Sequence, residues 1–191
     1  QLRKTEIGTV IKQDTSENLA KIVYLGIGSN LGNKKLNIEK AKSYLQDHDI
    51  KILKCSNDYE SNSWPDKNNP KFINIVLKVK TFLSPINLLK IINIIELKLG
   101  RRRSKKNAPR TCDIDIIDYD KKILNIRKNE LILPHPSINT RNFVLLPLFE
   151  IEQSWKHPKT KINIVKLINS LQIKDLRSIK QIWINVIIEN V

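Results

Sequence analysis

The hydrophobic and polar positions change their period several times along the chain, and each change predicts a new element of secondary structure. Residues 21–28 alternate between the two kinds of side chain, which predicts a first strand with Val23, Leu25 and Ile27 on one face. Residues 34–47 repeat their apolar side chains with helical spacing, and Asn33 can cap that helix. We expect the inner face of this helix to carry Leu36, Ala41, Tyr44 and Leu45.

Two further apolar stretches, residues 50–59 and 72–82, predict a second and a third strand with a polar loop between them. Ser84 followed by Pro85 is typical of a helix start, and Gly100 is typical of a helix end. A second helix is therefore expected between these signals. Its buried stripe should consist of Leu88, Ile91 and either Ile94 or Ile95.

The rest of the chain predicts one more long strand and several short elements. The strand contains Asp113 and is followed by a short strand at 123–126, a helix at 139–149 that Pro147 interrupts, and a helix at 162–171. The order strand–helix–strand–strand–helix–strand predicts an α+β fold with a ferredoxin-like βαββαβ core, an extra short hairpin and C-terminal helices. We place this domain at residues 21–175, after a flexible leader at 1–20 and before a tail of unclear role at 176–191.

The strand around Asp113 carries the strongest chemical signal. Asp113 and Asp115 share one face, whereas Cys112, Ile114 and Ile116 share the other, which suits a core. The Cα atoms of two such acids lie about 6.5–7 Å apart, so both carboxylates can bind a hard cation such as Mg²⁺. An isolated pair of this kind is often merely solvated. Here a basic run at 101–106 and Arg110 precede it, and an anion-binding loop before a metal-binding strand indicates phosphoryl transfer.

Composition indicates the class of partner and the cellular compartment. The chain has 191 residues and a net charge of +15, which fits a polyanionic partner such as nucleic acid, an acidic membrane surface or a nucleotide. Because the lysines are scattered, plain compositional bias explains the charge equally well. Cys55 and Cys112 are expected to be buried free thiols, as in a reducing cytoplasm. No apolar stretch is long enough for a membrane span, so we expect a cytoplasmic protein without a membrane partner.

The segment from Lys106 to Ile117 resembles the signature of the 6-hydroxymethyl-7,8-dihydropterin pyrophosphokinases, a family of folate-synthesis enzymes. Four other segments resemble that family's motifs in the family's order, and together they cover residues from about 22 to 151. They are Tyr24–Gly32, Pro70–Asn74, Leu133–Pro136 and Arg141–Glu150.

This resemblance implies an enzyme that transfers pyrophosphate from ATP to the hydroxymethyl group of the pterin and releases AMP. It implies two Mg²⁺ ions as cofactors, ATP and hydroxymethyldihydropterin as the substrates, and no nucleic-acid partner. Members of the family are often fused to dihydropteroate synthase or dihydroneopterin aldolase, so a fused or associated folate enzyme is a further expectation.

The resemblance also implies roles for individual residues. The catalytic residues are Arg101, Arg110, Asp113 and Asp115, and the two acids are also the metal ligands. The nucleotide-binding residues are Asn93, Glu96, Arg103, Arg110, Ile116, His135 and Arg141. The pterin-binding residues are Ser61, Asn62, Phe72, Asn74 and Phe143, of which the two phenylalanines would sandwich the ring.

The sequence departs from the family pattern at three places. Asn107 and Ala108 stand where the family has tryptophan and glycine, Ser61 and Asn62 replace threonine and proline, and Phe72 replaces tyrosine. The residues assigned to metal and phosphate are unaffected by these changes.

Two other functions fit parts of the sequence. A basic ferredoxin-like domain could bind single-stranded RNA on its sheet, but such modules present aromatic side chains where this strand presents acids. Another metal-dependent transferase with an Asp-x-Asp pair, such as a glycosyltransferase, would lack the matches at Gly28–Asn30 and Arg141–Glu150. Titration with ATP and Mg²⁺ against an RNA oligonucleotide would separate the enzyme from the RNA-binding module.

Overall fold

The computed structural model describes residues 19–63, 66, 68–101, 108–126 and 131–182. The strands in these ranges are β1 Lys21–Ser29, β2 Lys51–Cys55, β3 Asp58–Ser61, β4 Phe72–Thr81, β5 Asp113–Tyr119, β6 Leu124–Ile126, β7 Leu131–Leu133 and β8 Ile179–Ile182. The helices are α1 Lys34–Asp47, α2 Pro85–Lys98, α3 Asn142–Ile151, α4 Ile164–Asn169 and α5 Ile173–Arg177.

The main sheet has the strand order β5-β1-β4-β3-β8, and β2 pairs with β4 beside β3. All of these strand pairs are antiparallel. A separate short hairpin is formed by β6 and β7. The mixed α and β composition and the antiparallel sheet agree with the predicted fold class.

Alternating side chains on the strands build one core on each side of the sheet. Val23, Leu25 and Ile27 are fully buried in the core that also contains the inner faces of α1 and α2. Tyr24 and Val76 point the other way, into a second core that also contains side chains of α3 and α4. A sheet covered on both faces explains why the central strands β1 and β4 are apolar on both sides.

The predicted second strand is interrupted between β2 and β3, and the prediction of one continuous strand at 50–59 was wrong. At the break, the hydroxyl oxygen of Ser56 accepts a hydrogen bond from Val76 N over 2.9 Å. Asn57 is held outside the ladder, because its side chain donates to Glu150 Oε1 over 2.7 Å. Side chains thus take over backbone partners here, which sequence periodicity alone does not reveal.

The helix phase was misjudged at Leu36 of α1, whereas one of the two alternatives given for α2 is confirmed. Leu36 is 48% exposed, whereas Ile38 is 2% exposed and joins Ala41 and Leu45 on the buried stripe of α1. In α2 the alternative Ile95 is buried and Ile94 is exposed. Residues two apart on a helix lie on nearly opposite sides, so Leu36 cannot share a face with Ile38.

The C-terminal third differs most from expectation. Helix α3 begins at Asn142 instead of residue 139 and continues through the buried Pro147, so the predicted interruption was wrong. Packing of α3 into the second core outweighs the hydrogen bond that proline removes. The predicted helix at 162–171 shortens to α4, where Asn163 Oδ1 accepts from Lys166 N over 2.8 Å.

Three short elements, β7, α5 and β8, were not predicted, and residues 176–182 of the predicted tail belong to α5 and β8. Cys112 is a buried free thiol as expected, but Cys55 is free and exposed, because β2 presents most of its side chains to solvent. Within the described ranges, no helix is long and apolar enough to cross a membrane.

Candidate active site

Two carboxylates lie on one face of β5. In the ladder with β1, Asp113 is paired with Gly28 and Asp115 with Gly26. The intervening Ile114 points to the opposite face and is buried in the core beside α1 and α2. The predicted division of this strand into an acidic face and an apolar face is therefore confirmed.

Glycine at position 28 keeps the floor of the site free of side chains. A Cβ atom added there would lie 3.1 Å from Asn74 Oδ1 and 3.4 Å from Phe72 Cδ1. Because paired residues of adjacent strands share a face, Asp113, Gly28 and Asn74 form one row across β5, β1 and β4. The acids and the predicted pterin-binding side chains of β4 thus stand on the same face of the sheet.

Asp113 is held by two arginines. Arg101 Nη1 lies 2.6 Å from Asp113 Oδ1, and Arg110 Nε lies 3.3 Å from Asp113 Oδ2. The second contact is an ion pair without hydrogen-bond geometry, and the buried Nε has no hydrogen-bond partner among the described residues. Burial and the neighbouring Asp115 raise the pKa of Asp113, and the two arginines counteract this shift. The arrangement favours positive charge beside this carboxylate.

Asp115 is held from the other side by the segment before α3. Arg141 Nη1 lies 2.6 Å from Asp115 Oδ2, and His135 Nε2 lies 3.9 Å from the same oxygen. His135 Nδ1 accepts from Ser137 N over 3.1 Å, which leaves Nε2 directed towards the acid. Burial lowers the pKa of His135, so its imidazole is neutral at pH 7.

Glu96 connects α2 to the start of β5. Its Oε1 accepts a hydrogen bond from Ile114 N over 2.8 Å and also binds the guanidinium of Arg101. Burial raises the pKa of Glu96 to about 7, against the effect of these two partners. Asn93 lies one turn earlier on α2 and is partly buried, but no hydrogen bond joins it to the acids among the described residues.

An open cleft of about 200 Å³ lies beside Asp115. It is lined by the apolar side chains of β5, α2 and the hairpin, together with His135 and Pro136. Ile116 and His135, both predicted to bind nucleotide, line this cleft, and Arg141 lines a smaller opening that also reaches Asp115 and His135.

The predicted pterin-binding residues of β3 and β4 lie side by side, and Asn74 and Ser61 are hydrogen-bonded to each other. Asn74 Nδ2 donates to Ser61 Oγ over 2.9 Å and to Tyr59 O over 3.3 Å. The ring of Phe72 lies 5.6 Å from Arg110 Cζ, which connects this group to the acids. Asn62 follows Ser61 directly and is exposed.

Phe143 stands on a different element, the first turn of α3. Its ring centroid lies 5.6 Å from Cζ of Arg141, the residue that binds Asp115. Each predicted phenylalanine is therefore next to an arginine that contacts one of the two acids. Arg103 lies outside the described residues, as do the family departure at Asn107 and most of the basic loop.

Sequence reasoning missed Asn30, which holds three loops together. Its backbone N donates to Arg110 O over 3.1 Å, and its Oδ1 accepts from Arg110 N over 2.7 Å. Its Nδ2 donates to Ser63 Oγ over 3.2 Å and to Pro70 O over 3.1 Å. The available signal was an amide side chain in the turn after β1, where a buried polar residue needs several partners.

Comparison with known proteins agrees with this arrangement. A family model described as 7,8-dihydro-6-hydroxymethylpterin-pyrophosphokinase matches residues 24–153. The chain belongs to this pyrophosphokinase family. The resemblance that the sequence motifs indicated is thereby confirmed, and so is the expectation of a pyrophosphokinase.

Relatives of the pyrophosphokinase family differ in how much of their length the chain covers. The chain is 43% identical over 136 residues to the 2-amino-4-hydroxy-6-hydroxymethyldihydropteridine pyrophosphokinase of Aquifex aeolicus. This alignment covers 71% of the chain and 83% of that protein. The chain is also 39% identical over 157 residues to the folic acid synthesis protein fol1 of Pneumocystis carinii. This alignment covers 82% of the chain but only 21% of that protein.

A solved structure of Plasmodium falciparum HPPK-DHPS superimposes with a TM-score of 0.66 at 18% identity. The superposition covers 89% of this chain and 48% of that one, so this chain spans about half of that protein's length. At this identity, the likeness supports the fold of the pyrophosphokinase domain.

Proposed function

We propose that this pyrophosphokinase domain transfers pyrophosphate from ATP to the hydroxymethyl oxygen of 6-hydroxymethyl-7,8-dihydropterin and releases AMP, as a step of folate synthesis. The observation that carries this proposal is the convergence of Arg101, Arg110 and Arg141 on Asp113 and Asp115. A site with that many cationic donors around two acids suits a polyphosphate with its counter-cations.

The nucleotide is proposed to bind between the arginines and the open cleft beside β5. Its phosphates would lie against Arg101, Arg110 and Arg141, and its base would enter the cleft that Ile116 and His135 line. The cleft has mostly apolar walls and a neutral imidazole, which suits a flat heterocycle. Arg103 and Asn93 stay proposed nucleotide-binding residues on the basis of the resemblance.

Two Mg²⁺ ions are proposed at Asp113 and Asp115. The donor chemistry fits, because the two carboxylates share one face and the repulsion between them is relieved by a cation. Among the described residues, no group of three or more His, Cys, Asp or Glu side chains could hold a metal ion, so the other ligands would be phosphate oxygens and water. Mg²⁺ bound there would supply charge neutralisation and alignment of the phosphates.

The pterin is proposed to lie on the glycine floor beside the acids. Phe72 and Phe143 would contact its two ring faces, and the amide of Asn74 would bind its polar edge. Ser61 fixes that amide by accepting from its Nδ2, so the Asn74 oxygen is free to face the substrate. Asn62 would contribute from the exposed end of β3.

The reaction then depends on the arginines. The hydroxymethyl oxygen forms a bond to the β-phosphorus, and the bond from that phosphorus to the α-phosphate oxygen breaks. The hydroxyl proton passes to solvent water, and AMP leaves with the bridging oxygen. Negative charge grows on the leaving AMP, and Arg101 and Arg110 are placed to stabilise it. Each preorganised donor of this kind contributes about 10²–10³ in rate.

Finer features of the architecture are part of the same proposal. The strand order β5-β1-β4-β3, with helices α1 and α2 on one face, supports a ferredoxin-like βαββαβ core within residues 21–175. Relatives named as bifunctional or as HPPK-DHPS support a fused or associated second folate enzyme, such as dihydropteroate synthase or dihydroneopterin aldolase.

The test is formation of AMP from ATP and Mg²⁺ that depends on addition of the reduced hydroxymethylpterin. Arg110→Ala should lower turnover at saturating substrates by at least about 10²-fold. Lys40→Ala, which removes an exposed charge from α1, serves as the control and should have wild-type turnover. AMP release without the pterin, or unchanged turnover of Arg110→Ala, would contradict the assignment.

A further inference from the structure

The C-terminal segment of residues 173–182, comprising α5 and β8, is attached to both sides of the proposed pterin site. The family model matches residues 24–153, so this segment lies beyond the residues that the model matches. Its two attachments are a strand pairing and a cluster of hydrogen bonds.

The strand pairing extends the sheet beyond β3. β8 is antiparallel to β3, with Ser61 opposite Ile179 and Tyr59 opposite Gln181. Ile182 points to the other face and packs against the core beside α1 and α2. The segment is thus bonded along the strand that supplies the Ser61 hydroxyl and the Tyr59 carbonyl, which are the two acceptors of Asn74.

The hydrogen-bonded cluster centres on Asn142, the first residue of α3. Asn142 is 8% exposed, and its Nδ2 donates to Asp175 O over 2.5 Å and to Ser178 Oγ over 3.2 Å. Its Oδ1 accepts from Phe143 N over 2.7 Å. One amide group therefore links the C-terminal segment to the backbone of the phenylalanine that would cover the pterin.

We propose that residues 173–182 are a positioning element of the pterin subsite, and that Asn142 is the positioning residue through which they act. The segment is bonded both to β3, which positions Asn74 through Ser61, and to Asn142 beside Phe143. It therefore fixes the distance between Asn74 and Phe143, which is the width of the proposed pterin slot. The inference rests on the proposed function, because it assigns a role at the same pterin site.

Pterin affinity should depend on this link, whereas nucleotide affinity should not. The proposed nucleotide contacts come from β5, Arg101, Arg110, Arg141 and the segment around His135. None of these is hydrogen-bonded to residues 173–182 in the described part of the chain, although Arg141 directly precedes Asn142. A widened slot costs binding energy mainly on the pterin side, so the pterin KM should rise more than kcat falls.

Asn142→Ala and Asn142→Asp separate the two bonds that the amide donates from the one that it accepts. Aspartate keeps the oxygen that accepts from Phe143 N but loses the donor to Asp175 O and Ser178 Oγ. If the segment acts as proposed, both variants raise the pterin Kd about tenfold, measured in the presence of a non-hydrolysable ATP analogue. The Kd for that analogue alone should change less than about twofold.

Ser178→Ala is the milder variant, because Asn142 keeps its bond to Asp175, and it should raise the pterin Kd about two- to threefold. Lys174→Ala removes an exposed side chain from α5 and is the matched control, with wild-type affinities expected. Analogue binding and thermal unfolding of every variant report whether the fold is retained.

The outcomes distinguish this inference from the function on which it rests. Wild-type pterin affinity in Asn142→Asp would overturn the inference alone, since the segment would then be dispensable for the site. Equal losses of pterin and nucleotide affinity would also overturn it, because they indicate general loosening. Failure of the wild-type protein to bind pterin would overturn the proposed function and this inference together.

Discussion

Asn30 is a buried amide that positions Arg110 through the Arg110 backbone, without contacting its guanidinium. Both hydrogen bonds between Asn30 and Arg110 use the Arg110 backbone, so the guanidinium stays free to contact Asp113 and the Phe72 ring. The same amide also binds the loop between β3 and β4, at Ser63 and Pro70. We therefore expect the Asn30 side chain to contribute both to the stability of the fold and to the placement of Arg110 for the proposed reaction.

Asn30→Ala should therefore lower both quantities. Loss of these buried hydrogen bonds should reduce the free energy of unfolding by about 1–3 kcal/mol, and turnover should fall because Arg110 is no longer fixed. Chemical denaturation and AMP release measure the two effects. Asn125→Ala on the exposed side of β6 is the matched control, and equal behaviour of the two variants would contradict the role of Asn30.

The two acids should be needed for turnover and dispensable for folding. Asp115→Asn removes the charge that pairs with Arg141, and turnover should fall at least about 10²-fold. Stability should change by less than about 1 kcal/mol, because the ion pair is partly exposed and its loss also removes repulsion from Asp113. Near-normal turnover at saturating Mg²⁺ would refute the proposed metal site.

At the scale of elements, sequence periodicity located the central strands and the long helices, because their apolar side chains repeat over eight or more residues. It also placed Asp113 and Asp115 on one face. It failed where a side chain replaces a backbone partner, as Ser56 does, and where an element is too short to show a period, as in β7, α5 and β8. The contacts of Arg141 and Asn142 depend on tertiary packing and left no trace in the local pattern.

Helix α3 is anchored to the sheet by Glu152, its C-terminal cap residue. The Glu152 carboxylate binds the ammonium of Lys78 on β4, and it accepts from Tyr24 OH on β1 over 3.2 Å. These bonds, and one from Ser154, lower the pKa of Glu152 to about 2. The charged form is therefore favoured in the folded protein.

A group whose pKa falls on folding stabilises the protein above its ordinary pKa and loses this effect as the pH drops towards its folded pKa. Glu152→Gln should lower the free energy of unfolding near pH 7 by about 1–2 kcal/mol, because solvent screens part of the effect at this partly exposed group. The cost should shrink as the pH falls from about 4.5 to 2. Glu39→Gln, at the exposed ion pair with Lys42, should have little effect at any pH. A pH-independent cost for Glu152→Gln would refute this account.

At the scale of the whole molecule, the net charge of +15 gives the protein a field that attracts anions. ATP carries several negative charges, whereas the pterin ring is neutral. The two substrates should therefore respond differently to ionic strength. Increasing KCl from 50 to 500 mM should weaken binding of the ATP analogue several-fold and change the pterin Kd by less than about twofold.

Parallel titrations of the two ligands at both salt concentrations measure this difference. Lys40→Ala and Lys174→Ala, which remove exposed charges on different helices, should reduce the salt response of nucleotide binding only slightly. An equal salt response for pterin and nucleotide would show that the long-range field does not discriminate between them.

The row of Asp113, Gly28 and Asn74 sets a fixed distance across the sheet. Two spacings between hydrogen-bonded strands separate the acid-bearing strand from the amide-bearing strand, which fixes their distance at about 9.5 Å. Backbone hydrogen bonds set this length, so side-chain motion hardly alters it. If the pterin binds Asn74 as proposed, this fixed distance would select a substrate whose hydroxyl reaches the phosphates beside Asp113.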